Sequence, residues 1–173
     1  YYYRVRALNG DSVATAYASS VTVVTQMTPF PGTPTGFAGA AQSGSEILWS
    51  WIDNATNETG YRVMSGAVNI STDMSIGTTL WMQTGLSTNT SYGPFFTQAF
   101  NAGGTTNSGT ASRWTLAEVP TGLAAAGVYQ TSGTLSWNAG GNPAGTTFQL
   151  ERSTGTGYGL LISASATYYF DGY

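Results

Sequence analysis

Apolar and polar residues alternate over short runs along this chain, and clusters of Gly, Asn, Ser, Thr and Pro separate the runs. No stretch keeps a 3.6-residue period for ten residues, so the pattern predicts strands throughout and an all-β fold. Ile47, Trp49 and Trp51 fall on one face of a strand, with Leu48 and Ser50 on the other. Leu135 and Trp137 repeat the inward pair, and Tyr61 and Val63 return as Phe148 and Leu150 after one additional loop residue. Thr79–Gln83 and Thr167–Phe170 add a further strand to each copy.

The repetition is also literal. Pro34-Thr-Gly-Phe-Ala38 returns as Pro120-Thr-Gly-Leu-Ala124, a period of 86 residues, and each copy has a tryptophan seventeen residues after its proline. A period of that length fits a whole small domain and is too long for a solenoid unit. Residues 34–117 make one complete copy, continuing through Leu86-Ser-Thr-Asn-Thr-Ser-Tyr92, a strand over Phe96, Gln98 and Phe100, and a last strand near Ala111–Leu116. Residues 118–173 supply the first five strands of a further copy. Its last two strands are matched at the other end of the chain: Tyr1–Gly10 parallels Tyr92–Ala102, and Ser19–Val24 parallels the final strand. Joined, the end pieces make one copy lacking a loop equivalent to about Ser87–Ser91. Residues 25–33 carry Pro29 and Pro31 ahead of Pro34 and read as a stiff, extended spacer that resists joining a sheet. The second junction, Ala117-Glu118-Val119, is shorter and should hold its two modules in a tighter mutual orientation.

Composition narrows the functional classes. Charged residues make up 8% of the chain against a usual value of about 25%, so the surface must be dressed in Thr, Ser, Asn and Gly, as in secreted surface proteins. The basic residues are five dispersed arginines, with a net charge of -3, which leaves no electrostatic footprint for nucleic acid or for an anionic membrane. No run of eighteen apolar residues exists to cross a bilayer. Without cysteine there is no disulfide, no thiolate chemistry and no soft-metal site. No signal-peptide pattern follows Tyr1, so any targeting sequence was removed or lies outside this segment.

The early Trp on the second strand, the Leu-x-x-Asn-Thr-x-Tyr turn ending at Tyr92 and the Tyr-x-Tyr-x-Val-x-Ala-x-Asn run from Tyr1 to Asn9 together resemble tandem fibronectin type III domains of bacterial extracellular proteins. The segment Trp51–Arg62 is similar to the loop between the second and third strands of that group. The resemblance implies immunoglobulin-like β-sandwiches, one complete and one split between the chain ends. It implies that Trp51 and Trp137 are structural core and that Tyr92 and Tyr1 form tyrosine corners, each hydroxyl bonding back to nearby backbone. Gly93-Pro94 is one residue longer than the matching stretch of Tyr1–Ala7, which predicts a bulge. Ala139–Gly145 stands in the second copy where the first has its acidic loop.

With no His, Cys or Lys, only carboxylates and hydroxyls remain for chemistry. Asp53 and Glu58 are the one close acidic pair; on a loop without a cleft they read as turn caps, against a glycosidase-like pair. Asp53, Asn54, Asn57 and Glu58 lack the alternation and glycine of an EF-hand loop. Asn54, Asn57, Asn69 and Asn89 each begin a glycosylation sequon, of the kind chance produces in a chain rich in Asn, Ser and Thr. Trp81, Trp114, Tyr168 and Tyr169 suit a flat sugar-stacking platform, although strand alternation places Trp81 in a core slot. Leu48, Ile52, Leu80 and Met82 on outward faces suggest a protein interface.

The expectation is a non-catalytic structural repeat at the cell surface or outside the cell, in a filament or adhesin stalk, with no catalytic residue, cofactor or metal. The alternative is an accessory spacer or carbohydrate-binding tandem of a secreted polysaccharide-degrading enzyme. Partners are other copies of the chain in head-to-tail assembly, and surface glycans, without nucleic acid or membrane insertion. Tyr1, Tyr3, Val5 and Ala7 should face inward in a module completed by donated strands or by a continuous chain.

Overall fold

The computed structural model describes residues 1–24, 26–153 and 155–172. Thr25, Thr154 and Tyr173 lie outside the described residues, among them the first residue of the expected spacer and the last of the expected final module. The N-terminal piece holds β1 (Tyr2–Tyr3) and β2 (Val21–Thr22). The central module holds β3 (Thr35–Ala41), β4 (Ile47–Ile52), β5 (Gly60–Ser65), β6 (Val68–Asn69), β7 (Met74–Ser75), β8 (Leu80–Gln83), β9 (Ser91–Asn101), β10 (Gly104–Asn107) and β11 (Ala111–Trp114). The C-terminal piece holds β12 (Thr121–Ala126), β13 (Ser132–Asn138), β14 (Phe148–Ser153), β15 (Tyr158–Ala164) and β16 (Tyr168–Gly172).

In the central module the order β3-β4-β8 makes one sheet, and β9 pairs with β10, β11 and β5 in the other, with β6 and β7 on the far edge of β5. All pairings are antiparallel. The two-residue period sets the faces: Ile47, Trp49 and Trp51 of β4 and Tyr61 and Val63 of β5 are all buried. Trp49 joins the sheets. Its ring stacks on Phe37 of β3 at 5.1 Å and meets the edge of Phe95 of β9 at 5.4 Å, while its Nε1 donates to Gln83 Oε1 at 2.9 Å. Trp51 packs against Tyr61 across the same gap. Opposite Ala111 and Arg113, β9 places Phe95 and Tyr92, so one additional residue bulges out at Gly93-Pro94, where the sequence pattern predicts it. Gly60 is required by close approach, since a Cβ there would lie 2.1 Å from the Met74 carbonyl oxygen.

The second half of the spacer is fastened to one pole of the central module. The amides of Asn57 and Asn101 both donate to the Pro29 carbonyl, at 3.1 and 2.9 Å, and Asn54 donates to Thr33 O at 2.9 Å. Thr106 Oγ1 donates to Gly32 O at 3.2 Å, Pro31 and Pro34 are buried, and Phe30 lies where a Cβ on Gly104 would be. Proline keeps the segment out of the ladder as expected, but its freed carbonyls then need donors, and loop asparagines provide them.

At the opposite pole, where β9 begins and β11 ends, the second junction is held just as closely. Glu118 and Asn142 exchange two hydrogen bonds at 2.9 and 2.8 Å, Gly141 N donates to Glu118 Oε2 at 2.6 Å, and Asn89 donates to Thr146 Oγ1 at 2.9 Å.

The end pieces are half-sandwiches. The C-terminal piece has the sheet β12-β13-β16 and the hairpin β14-β15. Phe148 and Leu150 are buried and Trp137 is half-buried, edge-on to Phe148 at 6.0 Å. In the N-terminal piece β1 and β2 pair only with each other, in the register Tyr2 with Thr22 and Tyr3 with Val21. Tyr1, Tyr3, Val5 and Ala7, expected to face inward, are exposed, Tyr1 by 79%. Among the described residues β1 and β2 form a two-stranded sheet that no further strand joins, which leaves these side chains exposed.

Trp51→Ala should lower the unfolding free energy of the central module by about 3 to 5 kcal/mol. Trp137→Ala should cost clearly less, because its ring is only half covered. Urea melts of both variants, followed by circular dichroism, check the difference.

Candidate functional surfaces

Asp53 and Glu58 are brought to opposite jobs around one phenol. Asp53 accepts from the backbone N–H of Ala55 at 2.8 Å and from the Tyr61 hydroxyl. Glu58 is buried, and its Oε1 accepts from Gly77 N at 3.2 Å while Oε2 has no partner among the described residues. Burial, then the hydrogen bond and charge of Asp53, then the charge of Glu58, push the Tyr61 phenol well above its ordinary value. These carboxylates tie a loop to the core. Among the described residues no group of three or more acidic, His or Cys side chains is placed to hold a metal ion.

Tyr92 makes the corner that the resemblance implies: its hydroxyl accepts from Ser87 N, five residues upstream, at 2.8 Å. Thr115 secures the same turn, donating to Ser87 O at 2.7 Å and accepting from Thr90 N at 3.0 Å. Each sequon asparagine uses its Nδ2, the atom a glycan would occupy: Asn54 and Asn57 on the spacer, Asn69 on Asp73 and Asn89 on Thr146.

The four proposed platform aromatics do not share a face. Trp81 lies opposite Trp49 and packs on the core. Trp114 is exposed beside Ala117 and the loop Pro143–Thr147 at the second junction. Tyr168 and Tyr169 are successive strand residues and point to opposite faces, Tyr168 exposed and Tyr169 half-buried. A different set does line up. On the outward face of the central module, Ile52, Leu80 and Met82 are exposed and Leu48 half-buried, with Leu48 directly opposite Met82. In the C-terminal piece Tyr168 and Phe170 pair with Ser136 and Thr134, as Leu80 and Met82 pair with Ser50 and Leu48, and both are exposed. The repeat offset carried this signal for Phe170, which an aromatic count alone passes over.

No protein-family model matches the chain. Among solved structures it is similar to a two-domain fibronectin type III segment of chicken tenascin, with TM-score 0.50, 14% identity, and coverage of 82% of this chain and 83% of that one. It is also similar to the FN1–FN3 domains of chicken CNTN1, with TM-score 0.43, 16% identity, and coverage of 99% and 64%. The fold is that of tandem fibronectin type III domains. Among curated proteins it is similar to Exoglucanase B of Cellulomonas fimi, 32% identical in a 165-residue alignment that covers 84% of this chain. The chain spans about 15% of the length of that relative.

Tyr92→Phe should lower stability by about 1 kcal/mol in thermal or urea melts, the net value of one hydrogen bond. For Tyr61 the folded pKa lies above the unfolded value, so its contribution is complete below pH ~10 and is lost as pH rises through the folded value. Melting curves taken from pH 8 to 12 should therefore show an alkaline loss of stability that is smaller in Tyr61→Phe.

Proposed function

We propose that this chain is a non-catalytic accessory tandem of a secreted polysaccharide-degrading enzyme. One observation carries the reading: identity of 32% to an exoglucanase across 84% of the chain, which exceeds what shared sandwich packing alone requires. The chemistry of the surface supports it. The clustered acids Asp53 and Glu58 are spent on a loop, and no His, Cys or Lys is present to act as base or nucleophile. A working role then lies in spacing and contact. The eleven residues of β9 run the length of the module, about 33 Å at roughly 3.3 Å per residue, between two hydrogen-bonded junctions. Such a unit holds its neighbours apart at a set distance. The uncharged outward pair Leu80 and Met82, and its counterpart Tyr168 and Phe170 in the C-terminal piece, suit a neutral glycan chain better than a charged partner.

Sequencing the encoding reading frame outward from this segment tests the proposal. A glycoside hydrolase domain in the same polypeptide is the expected result. Further modules ending in a cell-wall anchor would overturn it in favour of an adhesin stalk. Independently, insoluble β-glucan should deplete the chain from solution, and Tyr168→Ala with Phe170→Ala should weaken that binding by about thirtyfold or more, at about 1 to 3 kcal/mol for each of the two lost stacking contacts by analogy with base stacking.

A further inference from the structure

Backbone carbonyls are what the central module holds in the segment that enters it. Pro29 O accepts from the Nδ2 of both Asn57 and Asn101, at 3.1 and 2.9 Å, and Phe30 O accepts from Asn57 at 3.4 Å. Gly32 O accepts from Thr106 Oγ1 at 3.2 Å, and Thr33 O from Asn54 Nδ2 at 2.9 Å. The donors converge from separate elements: Asn54 and Asn57 lie between β4 and β5, Asn101 ends β9, and Thr106 stands on β10. Pro29 and Pro31 preset an extended backbone for such a site, which lowers the entropy lost on docking.

The steric fit is exacting on both sides. A Cβ on Gly32 would lie 2.3 Å from Asn54 O, and one on Gly103 would lie 2.1 Å from Thr28 O. Neither glycine is in the left-handed region, so close approach of the partner segment is what requires it. Met27, immediately upstream of this contact, is 89% exposed.

The arrangement recurs with different residues. In the loop between β13 and β14, Asn142 Nδ2 donates to Glu118 O at 2.8 Å and its Oδ1 accepts from Glu118 N at 2.9 Å. A Cβ on Gly141 would lie 2.9 Å from the Glu118 carboxylate oxygens. Asn142 sits in the loop that corresponds to the one carrying Asn54 and Asn57. Two unlike linkers are thus each captured through their backbone by an asparagine of the same loop, with a glycine at the contact.

We infer that this pole is a binding site for the backbone of a proline-bearing extended peptide, filled by residues 28–33, and that each module selects the linker entering it through its own loop between second and third strands. Linker and module are a matched pair: a linker without Gly32, or a module without Gly103, does not dock. The inference concerns how a module receives its linker and stands whether or not the chain is an accessory tandem.

Backbone 15N relaxation of the full chain, read at Phe30 and Thr33, tests it. Both amides should have order parameters of about 0.85, as in β4, although residues 28–33 belong to no sheet. Asn57→Asp with Asn101→Asp removes both donors to Pro29 O but keeps an acceptor for Gly103 N and Gly104 N, which Asn101 Oδ1 now bonds at 2.8 and 3.2 Å. Phe30 should then fall below about 0.6 while Thr33, held by Asn54, stays ordered. Gly32→Ala should release Phe30 and Thr33 together, with the β4 amides unchanged. Because Gly32 lies outside the sheets, this variant decides the matter even where the aspartate pair disturbs the end of β9. A parent chain with Phe30 below about 0.6 overturns the inference, as does a linker that stays ordered in Gly32→Ala or a Phe30 that stays ordered in a folded aspartate pair.

Discussion

Trp49 is the contact on which the central module depends, because it is where two sheets that cannot stand separately become one core. A sheet with one apolar face is stable only when that face is covered. Here the cover arrives from far along the chain: Phe37 stacks on the indole from its own sheet, and Phe95 closes it edge-on from β9. Everything in β9 and its partners follows from that closure, including the bulge at Gly93-Pro94 that keeps both Tyr92 and Phe95 turned inward. The same inward positions recur further along the chain. Among the described residues the C-terminal piece has Leu135 where Trp49 stands and Phe148 where Tyr61 stands, with a groove lined by Leu123, Trp137, Phe148 and Leu150 beside them.

The alternation of residues carried most of this. Faces on β4, β5, β13 and β14 were readable because tryptophan and tyrosine at a period of two leave one consistent inward set. The bulge was readable because the two copies differ there by one residue. What escaped were features that depend on polar side chains meeting backbone at a distance. Asn57 and Asn101 hold Pro29 across 28 and 72 residues of sequence, and no local pattern distinguishes such asparagines from ordinary loop residues. The short strands β6 and β7 were missed, and β15 was counted among five strands but not placed, since Val68–Asn69, Met74–Ser75 and a glycine-bearing Tyr158–Ala164 lack a sustained alternation. The aromatic platform failed for the converse reason: counting aromatics without assigning faces put Tyr168 and Tyr169 together, and adjacent strand residues never share a side.

Low charge has a structural consequence. Among the described residues the ion pairs are Arg62 with Asp73 at 3.6 Å and Arg152 with Asp171 at 3.1 Å, both partly exposed and of the kind that contributes little. Both junctions of the central module are instead held mainly by amide, hydroxyl and backbone groups, with Glu118 the one carboxylate involved. Neutral hydrogen bonds are not screened by salt, whereas exposed ion pairs weaken as ionic strength rises. The junction contacts of the central module therefore persist as ionic strength rises, which follows from a surface of Thr, Ser, Asn and Gly and would not follow from one of lysine and glutamate.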